Sequence, residues 1–394
     1  MIPKSIDNIS KPDIDALIEN QVREGRTIEY KQILPGNSDD EKREFLADVS
    51  SFANAGGGDL LYGISEVDGV PQDAIGLDCN TDSEILRLES IIRDGLDPRI
   101  PGVRMVPIEG FPQGPVLLIR IPKSWAAPHM IIFKKLSRFF TRNSAGKYRM
   151  DVSEIRSAFL LSEALPERMK RFRDERLGRI IAEETPVPLY KGAKLVLHIL
   201  PVASFASDFT LDISTFRENI GGLYPMGAGG CNYRFNLDGF VTHTGSPSDT
   251  GSRAYCQIFR AGQMESVDAD LVNEQDGKRL IASVAYEQDI IQSVHQYLGV
   301  LKKLEVPSPL LVLIGMLGVS GAYLAVNTFY LSTDPAPIDR DTLILPDILI
   351  EDYALLSDVE EVARLLRPAF DAVWNACGYV RSYNFDEQGN WKPK

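Results

Sequence analysis

The residues best suited to chemistry lie close to the N-terminus, where an acid and a lysine alternate with apolar residues. Residues 27–34 alternate between apolar and polar positions, and this period predicts a strand. Glu29 and Lys31 are two positions apart on that strand, so their side chains share one face. Ile28 and Tyr30 then lie on the other face. An acid beside a lysine suits phosphodiester hydrolysis, because carboxylate oxygens hold hard cations and an ammonium group stabilises charge on a phosphate.

Two further glutamates are placed to join this pair. Glu24 lies five residues before Glu29, just before a glycine that indicates a turn. Glu66 lies at the end of the next predicted strand. Three carboxylates on neighbouring elements can bind one or two Mg²⁺ or Mn²⁺ ions and activate a water molecule. A glutamate on a surface strand or turn is more often only a solvated charge, so the spacing by itself leaves both interpretations open.

A second candidate site is a basic segment, residues 134–149, which contains no acid. Aromatic residues alternate with its cations, and this pattern fits a nucleic-acid surface in which cations meet phosphates and aromatic rings stack on bases. A twisted strand pair with solvated charges and a buried aromatic face explains the same pattern equally well. The cations of the segment are Lys134, Lys135, Arg138, Arg142, Lys147 and Arg149.

The net charge of the whole chain does not reveal this basic segment. The 394 residues carry a formal net charge of −13, which by itself argues against a nucleic-acid partner. The charge is unevenly distributed, because residues 1–180 carry −2 and residues 181–394 carry −11. Residues 120–180 alone carry +9. We therefore expect a local basic surface on an acidic protein, and the acidic half is a candidate partner or trigger surface that restrains it.

The elements that must position these residues form an α+β domain over residues 1–150. Asp39 and Asp40 are typical helix N-caps, and apolar residues at helical spacing follow them as far as the glycines 56–58. These glycines favour the end of a helix and a tight turn into a strand over a phosphate-binding loop. Beyond the turn, the pattern predicts a strand over 60–64, a helix over 82–95 and strands over 116–121 and 137–142.

The second half predicts a separate α/β domain. A capping box at Asp151 and Glu154 begins a helix, and a second, basic helix runs over residues 166–184, so residues 151–185 are expected to form a basic helical linker. The sequence TPVP at 185–188 is the strongest boundary signal in the chain. Residues 186–394 are then an acidic α/β domain with a sensing or assembly role.

Several classes of protein are disfavoured. The N-terminus lacks the pattern of a signal peptide. The four cysteines lie too far apart in the sequence for a CxxC pair, which favours reduced thiols. We therefore expect a cytoplasmic protein. Residues 306–333 carry no charge, but Gly315, Gly318 and Gly321 favour a turn between buried strands over a membrane span. No G-x-x-x-x-G-K-[ST] motif is present, so a P-loop ATPase is disfavoured.

Several segments together resemble the Schlafen-type AlbA_2 domain. The matching runs are EGRTIEYK at 24–31, FLADVSSFANAGGG at 45–58 and LLYGI at 60–64. The later runs IPKS at 121–124, PH at 128–129 and RFFTR at 138–142 resemble the closing strands of the family. The resemblance covers about residues 12–160.

The resemblance implies an activity and a site. Animal Schlafen cores cleave tRNA and rRNA with three acids, and Glu24, Glu29 and Glu66 match those positions, although Glu66 replaces an aspartate. It therefore implies a divalent-metal-dependent endoribonuclease acting on structured RNA such as tRNA. In this mechanism the three acids hold Mg²⁺ or Mn²⁺ and Lys31 stabilises the developing negative charge, while the basic segment contacts RNA phosphates. Such a nuclease suits phage defence or a toxin role.

Two features of the family leave other functions open for this chain. Animal Schlafen cores join two similar lobes into a clamp, whereas this chain carries one, so a homodimer would have to supply the second. Many bacterial relatives are described as DNA-binding or ATP-binding. The alternatives are therefore a non-catalytic DNA-binding transcriptional regulator and a nucleotide-binding sensor.

Overall fold

The chain divides into two compact units, Met1–Ala164 and Leu165–Lys394, in the computed structural model. The structure describes residues 1–4, 6–205, 210–245, 251–326, 335–351 and 358–393, and for Lys135 the backbone only. The helices of these residues are α1 (Lys11–Glu19), α2 (Asp39–Asn54), α3 (Thr81–Gly95), α4 (Val152–Ile181), α5 (Ser283–Lys303) and α6 (Val359–Ala376).

The strands of the first unit are β1 (Ile28–Lys31), β2 (Gly58–Tyr62), β3 (Ile64–Val67), β4 (Val70–Ala74), β5 (Leu96–Asp97), β6 (Arg104–Ile108), β7 (Val116–Ile121), β8 (Met130–Ile131), β9 (Arg138–Asn143) and β10 (Gly146–Arg149). The strands of the second unit are β11 (Lys194–Pro201), β12 (Asn232–Phe235), β13 (Gly239–His243), β14 (Ala254–Phe259), β15 (Met264–Asp268), β16 (Asn273–Gln275), β17 (Lys278–Ala282), β18 (Leu310–Leu317), β19 (Ala322–Ala325), β20 (Thr342–Ile344) and β21 (Ile348–Ile350).

The main sheet of the first unit has the strand order β1-β2-β7-β6, with β1 parallel to β2 and the other pairs antiparallel. Each face of this sheet has its own core, because side chains alternate along a strand. Leu60 belongs to the same core as Phe45 and Phe52 of α2. Ile28 and Tyr30 pack in the other core, together with α1. Glu29 and Lys31 therefore lie on the face covered by α2, which confirms that they share one face of a strand.

The connection from α2 to β2 needs glycine. Ser38 caps the start of α2, since its Oγ accepts a hydrogen bond from Glu41 N at 3.3 Å. At the other end, Gly57 has a φ of +74°, a conformation that favours glycine. A Cβ on Gly58 would lie 2.3 Å from the ring of Phe52. The glycines thus end the helix and turn the chain into β2, as predicted.

A second sheet, with the order β10-β9-β8-β5, carries the basic segment. β9 and β10 form an antiparallel hairpin in which Lys147 lies opposite Arg142 and Arg149 lies opposite Phe140. Opposed residues share a face and successive residues alternate. Arg138, Arg142, Lys147 and Arg149 therefore all project from the same side of the hairpin.

Helix α4 differs from the linker predicted for residues 151–185. It is a single helix of 30 residues with Pro166 inside it, where two helices were expected. The division between the units falls at Ala164 and Leu165, within this helix, and not at residues 185–188. Buried residues Leu165, Met169, Leu177 and Ile180 explain why the second half of α4 is part of a folded unit and not an exposed linker.

The second unit has an eight-stranded sheet in the order β12-β13-β14-β15-β11-β18-β20, with β21 also paired to β18, and a smaller sheet β16-β17-β19. Its core includes α5 and α6, so the predicted α/β class is confirmed. The uncharged segment near residue 315 forms β18 and β19, separated by Gly318 and Gly321, which both have positive φ. Residues 327–334 of that segment lie outside the described part. Among the described residues, no helix has the length and apolar character needed to cross a membrane.

Candidate functional site

Glu29 is the centre of a buried polar cluster on the α2 side of the main sheet. The residue is 7% exposed, although it is charged. Its Oε1 lies 2.7 Å from Lys31 Nζ, and its Oε2 accepts a hydrogen bond from Arg142 Nη2 at 2.6 Å. Burial raises the pKa of Glu29, but the two cations outweigh that effect and hold it at about 2. The carboxylate of Glu29 is therefore ionised at neutral pH, where it pairs with two cations.

Arg142 is one of the predicted phosphate-binding residues, yet it lies inside the domain. It is 4% exposed, and its guanidinium stacks on the ring of Phe52 at 3.6 Å from the centroid. Its Nε and Nη1 groups have no hydrogen-bond acceptor among the described residues. The expectation that Arg142 is a surface cation is wrong, because the face of the hairpin that carries it packs on α2.

Asp48 belongs to the same cluster and was missed as a candidate from the sequence. It lies on α2, is 1% exposed, and its Oδ1 is 2.5 Å from Lys147 Nζ. Burial raises the pKa of Asp48 to about 7, and the charge of Glu29 adds to this shift. A signal for it exists in the sequence: Asp48 lies three residues after Phe45 and four before Phe52, on the apolar face of the helix.

Lys147 is also turned inward. Its Nζ contacts Asp48 and also Glu44 Oε1, at 2.5 Å in both cases, and its side chain is 19% exposed. Like Arg142, it joins the basic hairpin to the acidic side chains on β1 and α2, so it is not free to bind a phosphate in this conformation.

Glu24 lies next to the cluster, in the turn before β1. Its Oε1 accepts a hydrogen bond from Tyr30 N at 2.8 Å, and its own N donates to Gly69 O at 2.7 Å. Burial raises the pKa of Glu24, and the carboxylates of Glu29 and Glu66 raise it further. Glu24 thus differs in protonation behaviour from Glu29, five residues away.

Glu66 is brought to the same turn as Glu24. It is exposed on β3, and its Oε2 accepts a hydrogen bond from Gly69 N at 2.6 Å. Gly69 has a φ of +74°, and a Cβ there would lie 3.4 Å from Glu24 Cβ. The turn between β3 and β4 therefore packs closely against Glu24, so the three predicted acids lie on adjacent elements.

These acids do not fit one metal ion as they are arranged. Both oxygens of Glu29 contact cations, and one oxygen each of Glu24 and Glu66 accepts a backbone N–H. Across the described ranges, no three His, Cys, Asp or Glu side chains come close enough together to hold a metal. The three glutamates would have to change their partners before they could share Mg²⁺ or Mn²⁺, so no step through a metal follows from this geometry.

The exposed cations of the hairpin lie at the end away from its turn. Arg138 and Arg149 are exposed, and neither forms an ion pair with a described residue. Lys134 is exposed too, but it lies 2.7 Å from Asp39 Oδ2. The side chain of Lys135 is outside the described part of the chain. The basic segment thus divides into cations that stabilise the cluster and cations that face solvent.

Part of the first unit matches a known domain class. Residues 24–151 match the family model of the Schlafen, AlbA_2 domain, so the first unit contains an AlbA_2 domain. The match begins at Glu24 and spans the whole polar cluster and the basic hairpin. It covers none of residues 165–394. No curated protein matches the chain.

Two solved structures are similar to part of this chain. One is the crystal structure of the DIP2311 protein from Corynebacterium diphtheriae, with 17% identity, 37% of this chain and 27% of that chain covered, and a TM-score of 0.26. The other is the solution structure of the N-terminal domain of an ATP-dependent DNA helicase RecG-related protein from Nitrosomonas europaea. It has 24% identity, 35% of this chain and 86% of that chain covered, and a TM-score of 0.23.

Proposed function

We propose that the AlbA_2 domain binds structured RNA such as tRNA and cleaves it as an endoribonuclease. The observation that carries this proposal is the ion pair from Glu29 to Arg142, because it joins the strand with the candidate acids to the basic hairpin. An RNA backbone bound along the hairpin would then lie beside Glu24 and Lys31. A role in phage defence or as a toxin would suit such an activity.

Binding is assigned to the cations that face solvent. Arg138 and Arg149 project from the same side of the hairpin and are free to contact phosphates, whereas Arg142 and Lys147 hold that hairpin against α2. Folded RNA is recognised largely by its shape and its phosphates, which needs cations at fixed spacing more than base contacts. The hairpin supplies such spacing.

The observation that Glu29 has no free oxygen also favours a second candidate, a non-catalytic DNA-binding regulator. In that case the acids only stabilise the domain, and the exposed cations contact duplex DNA. The homodimer that the resemblance implies stays a prediction, which the mass of the protein in solution tests.

Binding is tested with the double variant Arg138→Ala/Arg149→Ala. We expect weaker binding of a tRNA pool, and each lost phosphate contact should reduce the slope of log K against log salt by about 0.7 to 0.9. The matched control, Lys278→Ala/Lys303→Ala, removes the same charge from exposed positions of the second unit. Equal affinities of the two double variants would contradict the assignment to the hairpin.

Cleavage is tested in the same tRNA pool, with duplex DNA alongside. The wild type should cut RNA, Glu24→Gln should not, and Glu109→Gln, an exposed glutamate in a loop of the same unit, should cut like the wild type. Intact RNA together with salt-sensitive binding of duplex DNA would instead support the DNA-binding regulator.

A further inference from the structure

The first half of helix α4 carries an apolar face that is exposed to solvent. Leu160 and Leu161 are 59% and 48% exposed, although both are large apolar residues within a helix. Ile155, Ala158 and Ser162 are half-buried, and they lie on the other side of the helix. We call the exposed side the leucine face. It contains no charged residue and consists of Ser153, Ser157, Leu160, Leu161 and Ala164.

The residues of the leucine face have the spacing that two paired helices need. Ser153, Ser157, Leu160 and Ala164 are four, three and four positions apart, which is the spacing of the a and d positions of a coiled coil. Residues 153–164 extend over about 18 Å of helix. Exposed apolar side chains grouped in one patch are typical of an interaction surface. The spacing therefore indicates a second helix as the partner of this face.

Two opposite charges lie along one side of the leucine face. Arg156 and Glu163 are exposed, and neither forms an ion pair with a described residue. No opposite charge lies three or four positions from either of them along the helix. They are seven residues apart, so both occupy the g position beside the a and d residues. Each charge thus lacks a partner within its own helix and lies where a neighbouring helix would supply one.

We infer that the leucine face pairs with the same face of a second copy of this chain, with the two α4 helices antiparallel. A two-fold axis then places Arg156 of each copy beside Glu163 of the other. Each Leu160 lies opposite Ser157 of the other copy, so a large side chain faces a small one. A parallel pair would hold Arg156 and Glu163 two helical turns apart. The pairing does not depend on the proposed ribonuclease function.

A second copy is the occupant that the charges select. The face itself is uncharged, and its two flanking charges complement each other under a two-fold axis, so the surface is complementary to itself. The contact is short, because each copy contributes about three turns of helix. An interface of this size is below that of a permanent dimer, so we expect a dissociation constant of about 1–100 μM.

The test measures the mass of the full chain by analytical ultracentrifugation across that concentration range. The wild type should dimerise. Arg156→Glu and Glu163→Arg should each raise the dissociation constant about tenfold or more, because each change brings like charges together at two places in the dimer. An equimolar mixture of the two variants should dimerise like the wild type, since one chain then carries two acids at these positions and the other carries two bases.

Two further variants complete the experiment. Leu160→Lys should leave the protein monomeric, because the dimer would bury the new charge, while the exposure of this position in one copy keeps the fold intact. Arg93→Glu makes the same charge change as Arg156→Glu at an exposed position of α3, and its mass should match that of the wild type.

Three outcomes would overturn the inference. The first is a wild-type chain that stays monomeric at the highest concentration. The second is a dimer that both charge variants leave unchanged, which would place the contact on another surface. The third is a mixture of the two variants that associates no better than either one alone. Recovery of the dimer in the mixture would also show that each variant is folded.

Discussion

At the scale of single residues, two glutamates five positions apart have pKa values shifted in opposite directions. Two cations keep the pKa of Glu29 at about 2, while burial raises the pKa of Glu24. The difference follows from partners and not from sequence position, since a neighbouring cation favours the ionised form and burial disfavours it. The most buried acid of the cluster, Asp48, follows the second pattern.

We predict that Asp48→Asn changes how stability depends on pH. The folded-state pKa of Asp48 is about 7, above the value of about 3.9 for an unfolded chain, so its contribution to stability is present below about pH 4 and is lost as pH rises through 7. The Asn variant has no carboxyl group at this position, so its stability does not fall in this way as the pH rises. Relative to wild type, its free energy of unfolding should therefore gain at least about 1.4 kcal/mol between pH 5 and pH 8, the equivalent of one pKa unit.

Urea unfolding at several pH values measures this difference. Glu29 does not interfere in that window, because a lowered pKa acts below about pH 4.5. Asp78→Asn, at an exposed position in a loop, should follow the wild-type curve. Parallel curves for wild type and Asp48→Asn would show that Lys147 compensates the buried charge fully.

At the scale of elements, the junction between α2 and β2 brings the end of the helix into contact with the buried polar cluster. Gly58 lies against Phe52, and Phe52 in turn packs on the guanidinium of Arg142. The chain therefore links a glycine at the helix end to a charged residue on β9. Helix, strand and hairpin hold one another in place at this point.

Gly58→Ala should destabilise the first unit by about 1–3 kcal/mol, because its Cβ would lie 2.3 Å from the Phe52 ring and 2.8 Å from Thr27 O. Gly178→Ala is the matched control. Nothing lies within 4 Å of a Cβ at Gly178, which is exposed on α4, so the change should stabilise the helix by up to about 1 kcal/mol. Thermal unfolding of both variants measures the two shifts. A Gly58→Ala protein as stable as the wild type would contradict the packing described.

At the scale of the whole molecule, the two units divide the charge differently from the expected halves. Residues 1–164 carry 20 basic and 25 acidic residues, a net charge of −5, and residues 165–394 carry 22 and 30, a net charge of −8. The basic second half of α4 belongs to the second unit, where Arg176 donates to buried Glu265 at 2.7 and 2.8 Å. The first unit thus depends on the hairpin for its basic surface.

We therefore expect residues 1–164, expressed alone, to bind RNA at least as tightly as the full chain. The reason is that the fragment keeps Arg138 and Arg149 and loses a unit whose net charge of −8 repels RNA. Residues 165–394 should bind RNA weakly or not at all. Electrophoretic mobility shifts at two salt concentrations compare the three proteins. Weaker binding by the first fragment than by the full chain would contradict repulsion of RNA by the acidic unit.

Local patterns in the sequence determined several features of this protein. Alternation placed Glu29 and Lys31 on one face of a strand, glycine chemistry predicted the end of α2, and the absence of acids marked the basic segment. These predictions concern residues a few positions apart, because the repeat of a strand or helix fixes the relative directions of nearby side chains. The resemblance to the AlbA_2 domain rests on the same short runs.

Only the tertiary structure decided which charges are buried. Four cations of the hairpin share one face, so their spacing could not distinguish Arg142 and Lys147 from Arg138 and Arg149. The distinction depends on where α2 covers that face, and on an ion pair between residues 113 positions apart. Asp48 became part of the site for the same reason. Burial depends on packing between segments that are distant in the sequence, and the local alternation of residues does not show which segments pack together.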